Sequence, residues 1–170
     1  MTPLSPSRPW PLALFSVRCF FVWGLVWLAA GVAIYATARP AVVIAFLPHA
    51  SHPEALPHWL KVALGPAPTL VHVMAFSLMS AAVVARSARD CWCVCAAWVA
   101  VETVFECAQH PSVRLWLSQH HAAALQLPLL GNYISHGSFD VADLIAAGVG
   151  GAIAAGLMTR TMARLEGAGA

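Results

Sequence analysis

Long apolar runs separated by short polar segments dominate the pattern of this sequence. The first run contains no charge and lies between Arg18 and Arg39. Each run is close to the about 20 residues that a helix needs to cross a bilayer. We therefore predict an all-α fold, a polytopic integral membrane protein with four transmembrane helices in one domain, residues 1–170. The predicted spans cover about residues 19–36, 68–84, 91–109 and 139–158.

Composition supports this class of protein. Hydrophobic residues make up 60% of the chain and charged residues 9%, whereas a soluble domain carries about 25% charged residues. So few charges could not cover a water-facing surface without leaving most of it apolar. The net charge is only +2 and no basic run is present, which argues against nucleic acid as a partner. Membrane lipid is the partner that the composition implies.

The cysteines argue against a secreted disulfide scaffold. Only five are present, and Cys91, Cys93 and Cys95 fall in one cluster at the predicted start of the third span. On a helix Cys91 and Cys95 share a face and Cys93 does not. We interpret them as small apolar core residues, with a redox or metal-binding role as the weaker alternative.

The placement of arginines predicts the orientation. Basic residues concentrate before span one, between spans two and three, and after span four, so the positive-inside rule puts both termini in the cytoplasm. The two long loops then face outward from the cytoplasmic (inner) membrane. Ala36-Thr37-Ala38 resembles a signal-peptidase site, but the preceding apolar run exceeds the about 7–15 residues of a signal peptide, so we expect a retained anchor. The arginines on the predicted cytoplasmic side are Arg8, Arg18, Arg86, Arg89, Arg160 and Arg164.

Both outward loops contain apolar pieces that are too short to cross a bilayer. These are Pro57–Leu64 in the first loop, and Val113–Leu117 and Leu125–Leu130 in the second. We expect them to lie as interfacial segments on the outer leaflet. The same loops hold most of the histidines, but no pair has the HxxxH or HxH spacing of a metal motif. A zinc or copper site in the loops is therefore the weaker interpretation.

Acidic residues within or at the edge of the predicted spans are the most informative feature. Glu102 and Glu106 lie in the third span, and Asp140 and Asp143 open the fourth. Charged side chains at membrane depth are costly, and when present they usually face the bundle interior, find partners and mark function. The last three spans contain no lysine or arginine at that depth. The four acids are therefore candidates for a functional site.

Helical spacing brings polar groups on three spans to similar depths. The glutamates and a glutamine on the third span follow an i, i+4, i+7 pattern, and the aspartates on the fourth are i, i+3. With a rise of ~1.5 Å per residue, these acids and the histidine of the second span come out roughly 5–10 Å inside the outer boundary. The candidate polar pocket consists of His72, Glu102, Glu106, Gln109, Asp140, Asp143 and His136.

Three of these residues also have a plain structural interpretation. Asp140 can cap the fourth helix, and Gln109 can be an interfacial end residue. His72 can be a hydrogen-bonded core histidine. Either interpretation predicts that the polar groups lie at the same end of the bundle.

Small residues line the fourth span. Gly148, Ala152 and Gly156 recur every four residues, a pattern that lets another helix approach the backbone closely. Gly150 lies among them. We predict that this stripe packs within the bundle, with a homodimer seam as the alternative.

Three short motifs occur in order along the last three spans. A histidine is followed by an aromatic residue four positions later at His72, Glu-x-x-Gln stands at Glu106, and Asp-x-x-Asp-Leu begins at Asp140, with Gly150 after it. In this order they resemble the VanZ-like family, small membrane proteins named for a teicoplanin-resistance accessory. The resemblance covers about residues 68–158 and implies an envelope-associated membrane protein.

The chain departs from that family at several positions. Members usually carry Asp-Lys where this chain has Pro68-Thr69, asparagine in place of Ala147 and glycine in place of Ala154. The linker before their last span is commonly short and contains an arginine. Here it is long, and His136 is the nearest basic candidate. These departures leave the expected fold intact and weaken the transfer of a resistance role.

Together these features predict a membrane protein with an outward-facing intramembrane polar pocket that binds or acts on a cell-envelope component, a lipid head group or a cell-wall precursor. An enzymatic version would use a carboxylate and His72 as acid and base, or as ligands of a single divalent metal. Two other classes stay open: a proton-coupled transport protein, and a non-catalytic accessory subunit whose partner is another membrane protein.

Overall fold

The computed structural model describes residues 10–38, 57–121, 131, 134 and 137–167. The regular elements in these segments are α-helices, and four of them are long and apolar enough to cross a membrane. This confirms the predicted fold class and makes the chain a multi-pass membrane protein. The helices are α1 (Trp10–Ala38), α2 (His58–Leu64), α3 (Ala67–Val84), α4 (Ala88–Ala108), α5 (Pro111–His120) and α6 (Val141–Gly167).

The four long helices are α1, α3, α4 and α6. Two of them run beyond the apolar stretch that predicts them. Helix α1 begins at Trp10, well before Arg18, and α6 continues past Met158 to Gly167. Exposed Arg160 and Arg164 lie in this extension of α6, because a helix can continue into water after its membrane-spanning part ends.

A capping box starts α4 only a few residues after α3 ends. The Ser87 hydroxyl accepts a hydrogen bond from the Asp90 backbone N–H, and the Asp90 carboxylate accepts one from the Ser87 backbone N–H. The two bonds satisfy N–H groups that a helix start leaves without partners. The short turn makes α3 and α4 antiparallel neighbours.

Contacts between helix ends set the direction of α6. Cys91 near the start of α4 contacts Met162 near the end of α6, so α4 and α6 are antiparallel. Thr69 near the start of α3 bonds to Asp143 at the start of α6, so α3 and α6 run in the same direction. The start of α3, the end of α4 and the start of α6 therefore meet at one end of the bundle.

Helix α1 packs mainly on α3. The backbones approach closely at Gly24, where a Cβ atom would lie 2.9 Å from the carbonyl oxygen of Ala75. Much of the rest of α1 is exposed, including Phe21, Trp23 and Val26. Exposed apolar side chains on a spanning helix suit contact with lipid, where burial among other helices gains little.

The core at the opposite end of the bundle from Thr69 and Asp143 is apolar. We call it the apolar end and define it by Leu78, Cys91, Cys95, Met158 and Met162, all of which are buried. The sulfur atoms of Cys91 and Met162 are 3.3 Å apart.

The cysteine cluster is divided between two faces of α4. Cys91 and Cys95 are buried, whereas Cys93 is exposed, as the helical spacing predicts. Their place among methionine and leucine side chains agrees with a role as small core residues.

The glycines of α6 correct the predicted packing stripe. Gly150 lies against α3, because a Cβ atom there would come within 2.5 Å of the Leu70 carbonyl oxygen. At Gly148 and Gly156 a Cβ atom would meet nothing within 4 Å, and Ala152 is exposed. The expectation that these three residues pack within the bundle is therefore wrong. The reason is helical periodicity: positions two apart lie about 200° apart around a helix, so Gly148 and Gly150 cannot share a face.

Two of the three predicted interfacial segments lie in described helices. Pro57–Leu64 corresponds to α2 and Val113–Leu117 lies within α5. Leu125–Leu130 and His136 lie outside the described residues. The interfacial location of α2 and α5 stays a prediction.

Candidate functional site

The polar residues of three helices meet where α3 begins, α4 ends and α6 begins. Here one hydrogen bond joins α3 to α6, and two others join the Glu106 carboxylate to the end of α4 and to the backbone at the start of α6. We call this region the polar end. It is defined by Thr69, Glu106, Gln109, Asp140 and Asp143.

Glu106 connects α4 to the start of α6. Its side chain is buried, with 4% of the residue exposed. One carboxylate oxygen accepts a hydrogen bond from the Gln109 side-chain amide at 3.3 Å, and the other accepts one from the Asp140 backbone N–H. Glu106 therefore holds the end of its own helix and the entry to α6 at once.

Asp143 connects α6 to α3. It is also buried, with 9% of the residue exposed, and its Oδ1 accepts a hydrogen bond from the Thr69 hydroxyl at 3.1 Å. Thr69 is not among the site residues that the sequence predicts. Its one signal is the motif resemblance described above, because VanZ-like proteins usually carry lysine three residues before the motif histidine.

Glu102 lies one turn deeper than Glu106 on the same face of α4. The His72 ring nitrogen Nδ1 is 3.8 Å from Glu102 Oε2, which is beyond hydrogen-bond distance. The His72 side chain is 48% exposed and that of Glu102 is 15% exposed. This pair therefore forms the accessible flank of the site.

His72 lies at the end of a row of aromatic side chains in contact with one another. Its ring contacts Phe76 with centroids 4.5 Å apart, and Phe76 stacks on Trp98 at 4.8 Å. The Trp98 indole N–H donates to the Ser80 hydroxyl at 2.9 Å. The Trp98 hydrogen bond and the ring contacts along this row limit the rotation of the His72 imidazole.

Asp140 enters the site differently from the prediction. The carboxylate of Asp140 is exposed and accepts a hydrogen bond from the Ala142 backbone N–H at 2.8 Å, so it caps α6. Asp140 joins the polar end through its backbone N–H. His136 lies outside the described residues.

The described segments contain no group of three His, Cys, Asp or Glu side chains arranged to hold a metal ion. The chemistry that the polar end offers directly is hydrogen bonding to carboxylates. An ionised carboxylate only accepts hydrogen bonds, so hydroxyl, amine and amide groups are the ligand chemistry that suits it.

A partly open cavity of ≈ 320 Å³ adjoins the polar end. The end of α4, the start of α5 and the segment before α6 form its wall. The His110 and Phe139 rings meet edge to face with centroids 5.1 Å apart. Its lining includes Gln109, His110, Arg114, Ser138 and Phe139.

Arg114 lines this cavity together with Gln109. The sequence points instead to His136, which is closer along the chain to the last span and lies outside the described residues. Linear distance does not indicate that Arg114 shares a cavity with Ser138.

Comparison of the chain with known protein families, with curated proteins and with solved structures finds no match.

Proposed function

We propose that this chain is a VanZ-like protein of the cytoplasmic (inner) membrane whose polar end binds or acts on a cell-envelope component. The component is the head group of an amphiphilic lipid or a cell-wall precursor. The observation that carries the proposal is the meeting of two buried carboxylates, Glu106 and Asp143, from different helices at one end of a membrane bundle.

Packing alone gives no reason for acids at this position. The same three helices close their other end with apolar side chains such as Met158 and Cys91. A buried carboxylate in a membrane protein costs several kcal/mol unless it is well bonded, on the order of 2.5–3.5 kcal/mol for an aspartate at a helix centre. Acids that are kept at such a cost usually serve binding or proton exchange.

Half-exposed His72 and the less exposed Glu102 beside it supply a route to the buried acids. Glu102 lies one helical turn from Glu106 on the same face of α4. A ligand that reaches His72 from the lipid side therefore meets one histidine and three acids in succession. This arrangement suits a molecule that already resides in the membrane and carries several hydrogen-bond donors.

The resemblance to the VanZ-like family supports the same region. Its motif residues Glu106, Gln109 and Asp143 all belong to the polar end, and His72 lies on its flank. Thr69 stands where relatives usually have lysine, and it donates to Asp143. The hydroxyl thus gives Asp143 a hydrogen bond in place of the charge that the family's lysine would provide.

The arginines support an outward-facing polar end. Arg86 and Arg89 flank the turn between α3 and α4, and Arg160 and Arg164 lie late in α6, so all four belong to the apolar end. The positive-inside rule puts that end and both termini in the cytoplasm. In a background without native cysteines, a membrane-impermeant thiol reagent should label Ser118→Cys from outside intact cells and miss Ala88→Cys. The reverse labelling would contradict the orientation.

Amide substitutions test the function. Glu106→Gln and Asp143→Asn keep shape and part of the hydrogen bonding while removing a costly charge, so the melting temperature should stay the same or rise. The amount of host-membrane amphiphile retained on the purified protein, measured by native mass spectrometry, should fall. Asp90→Asn removes an acid at the apolar end and should leave retention unchanged.

Three outcomes would contradict the proposal or redirect it. Stable variants with unchanged retention would make both acids bystanders. A joint loss of stability and retention would indicate a salt bridge whose basic partner is stranded by the amide. A stoichiometric protein partner in place of lipid would favour the accessory-subunit class.

A further inference from the structure

We propose that the cavity beside the polar end is a subsite for the phosphate group of an amphiphilic lipid, held by Arg114, His110 and Ser138. This proposal rests on the proposed function and names the chemistry of its ligand. The cavity measures ≈ 320 Å³, within the about 300–1,000 Å³ of small-molecule sites. A lipid phosphate with its neighbouring glycerol atoms suits a site at the lower end of that range.

Two of the proposed ligand-binding groups lie one turn apart on α5. The Arg114 backbone N–H donates to the His110 carbonyl at 2.9 Å, so residues four apart on this helix lie above one another. Arg114 is half-buried and lines the cavity. A guanidinium group presents paired N–H donors that match two oxygens of a phosphate.

His110 offers a hydrogen-bond donor next to that guanidinium. Its Nδ1 accepts a hydrogen bond from the Ser112 backbone N–H at 3.3 Å, which places the proton of the neutral ring on Nε2. The edge contact with Phe139 holds the ring against the opposite wall. His110 can therefore donate to an anion from Nε2 in its neutral form.

The charges around the cavity favour an anion. Among the described residues, its lining contains one permanent cation, Arg114, together with the Ser138 hydroxyl and no carboxylate. Glu106 accepts a hydrogen bond from the side chain of Gln109, which lines the cavity, and the Asp140 carboxylate accepts one from the Ala142 N–H. Gln109 thus stands between the acids of the polar end and the cavity.

The position of the cavity favours an amphiphile as the source of the phosphate. It lies where α4 leaves its apolar span and α5 begins. Exposed Val113, Leu115 and Trp116 give α5 an apolar surface, which suits a helix at the membrane interface. Lipid phosphates occupy that level of the bilayer, whereas the acids of the polar end lie deeper, where hydroxyl or amine groups of the same molecule would meet them.

A titration with three probes tests the proposal on the detergent-purified full chain. The probes are dioctanoyl phosphatidic acid, dioctanoylglycerol as its phosphate-free match, and inorganic phosphate. The unmodified chain should bind the phosphatidic acid and not the diacylglycerol. Arg114→Gln should weaken that binding by about tenfold or more, as expected for a charged hydrogen bond. Arg164→Gln removes an exposed arginine from the other end and should leave binding unchanged.

The outcomes separate the two sources of phosphate. Equal affinity for inorganic phosphate would overturn the amphiphile as the source. Unchanged phosphatidic acid binding in Arg114→Gln would overturn the subsite. If Arg114→Gln does not fold, Arg114→Lys and Ser138→Ala replace it, and each should weaken binding by roughly threefold to tenfold. Full affinity in both would also overturn the subsite.

The amide variants distinguish failure of this proposal from failure of the proposed function. If the amide variants at Glu106 and Asp143 retain less amphiphile but Arg114→Gln binds phosphatidic acid normally, only the proposed subsite is contradicted. If phosphatidic acid binding depends on Arg114 while the amide variants retain amphiphile normally, only the proposed role of the acids fails.

Discussion

The two ends of the bundle are closed by the same three helices with opposite chemistry. At the apolar end, Met158, Met162 and Cys91 pack with almost no exposed surface. At the polar end, Glu106 and Asp143 take the corresponding buried positions and form hydrogen bonds. Helix geometry does not require this difference, because α3, α4 and α6 continue through both regions. The contrast suits a division in which the apolar end mainly provides stability and the polar end has the function that we propose for it.

The physical basis of that division is the cost of burying each kind of side chain. Apolar groups pack between membrane helices through many small dispersion contacts and desolvate no polar atom. A carboxylate must recover its lost hydration through hydrogen bonds, and in membrane proteins such bonds add on average only ~0.6 kcal/mol each. The polar end therefore contributes little net stability, because the hydrogen bonds to its buried carboxylates mainly offset the cost of burying them.

The largest expected effect is at the apolar end. Met158 is fully buried in α6, whereas its neighbour Leu157 is 46% exposed. Met158→Ala should leave a cavity between α3, α4 and α6 and lower the free energy of unfolding by ~2–5 kcal/mol. Leu157→Ala faces outward and should lower it by well under half of that. Unfolding of both variants in denaturant and detergent measures the difference, and equal losses would show that this end is not the stabilising core.

A second, intermediate effect distinguishes the two faces of α6. Gly150→Ala would place a Cβ atom against the Leu70 carbonyl oxygen of α3, and backbone atoms cannot move aside as a flexible side chain can. We expect a loss of ~1–3 kcal/mol from overpacking. Gly148→Ala meets no neighbour and should be neutral or slightly stabilising, because alanine is the better helix former.

The same pair of variants tests where α6 has its close contact. If Gly148→Ala loses stability and Gly150→Ala does not, then Gly148 lies on the inward face of α6 and Gly150 on the outward face. Loss in both, together with a change from dimer to monomer in Gly148→Ala, would favour the homodimer seam that the spacing of small residues also allows.

Much of this architecture follows from sequence patterns alone. Apolar runs of the right length predict the four spans, and i, i+4 spacing puts Glu102 and Glu106 on one face of α4. The pattern fails where several faces of one helix are similar. Gly148 and Gly150 both read as small residues in an apolar helix, and only the contact with Leu70 distinguishes them.

The candidate site was less predictable because its contacts join distant parts of the chain. Thr69 and Asp143 come from different helices, and a threonine in an apolar span has no local feature that marks it as a site residue. Arg114 lies far along the linker from α6, yet it lines the same cavity as Ser138. Hydrogen bonds between helices depend on how each helix is rotated about its axis and shifted along it. Hydrophobic periodicity does not determine that rotation and shift to better than about one helical turn.

The smallest effect is the most direct test of the division between the two ends. Thr69→Val keeps the shape of the side chain and removes the hydroxyl that donates to Asp143. We expect a loss of ~0.5–1.5 kcal/mol, since one neutral donor to a carboxylate is removed and the carboxylate stays buried. Thr161→Val is the matched control, because the Thr161 hydroxyl donates within its own helix to the Leu157 carbonyl and is exposed, so its removal should cost close to nothing. In the background of Asp143→Asn the cost of Thr69→Val should shrink if the two groups act together. A cost for Thr69→Val as large as that of Met158→Ala would mean that the polar end stabilises the bundle as strongly as the apolar end, and the assignment of its acids to function would lose its energetic argument.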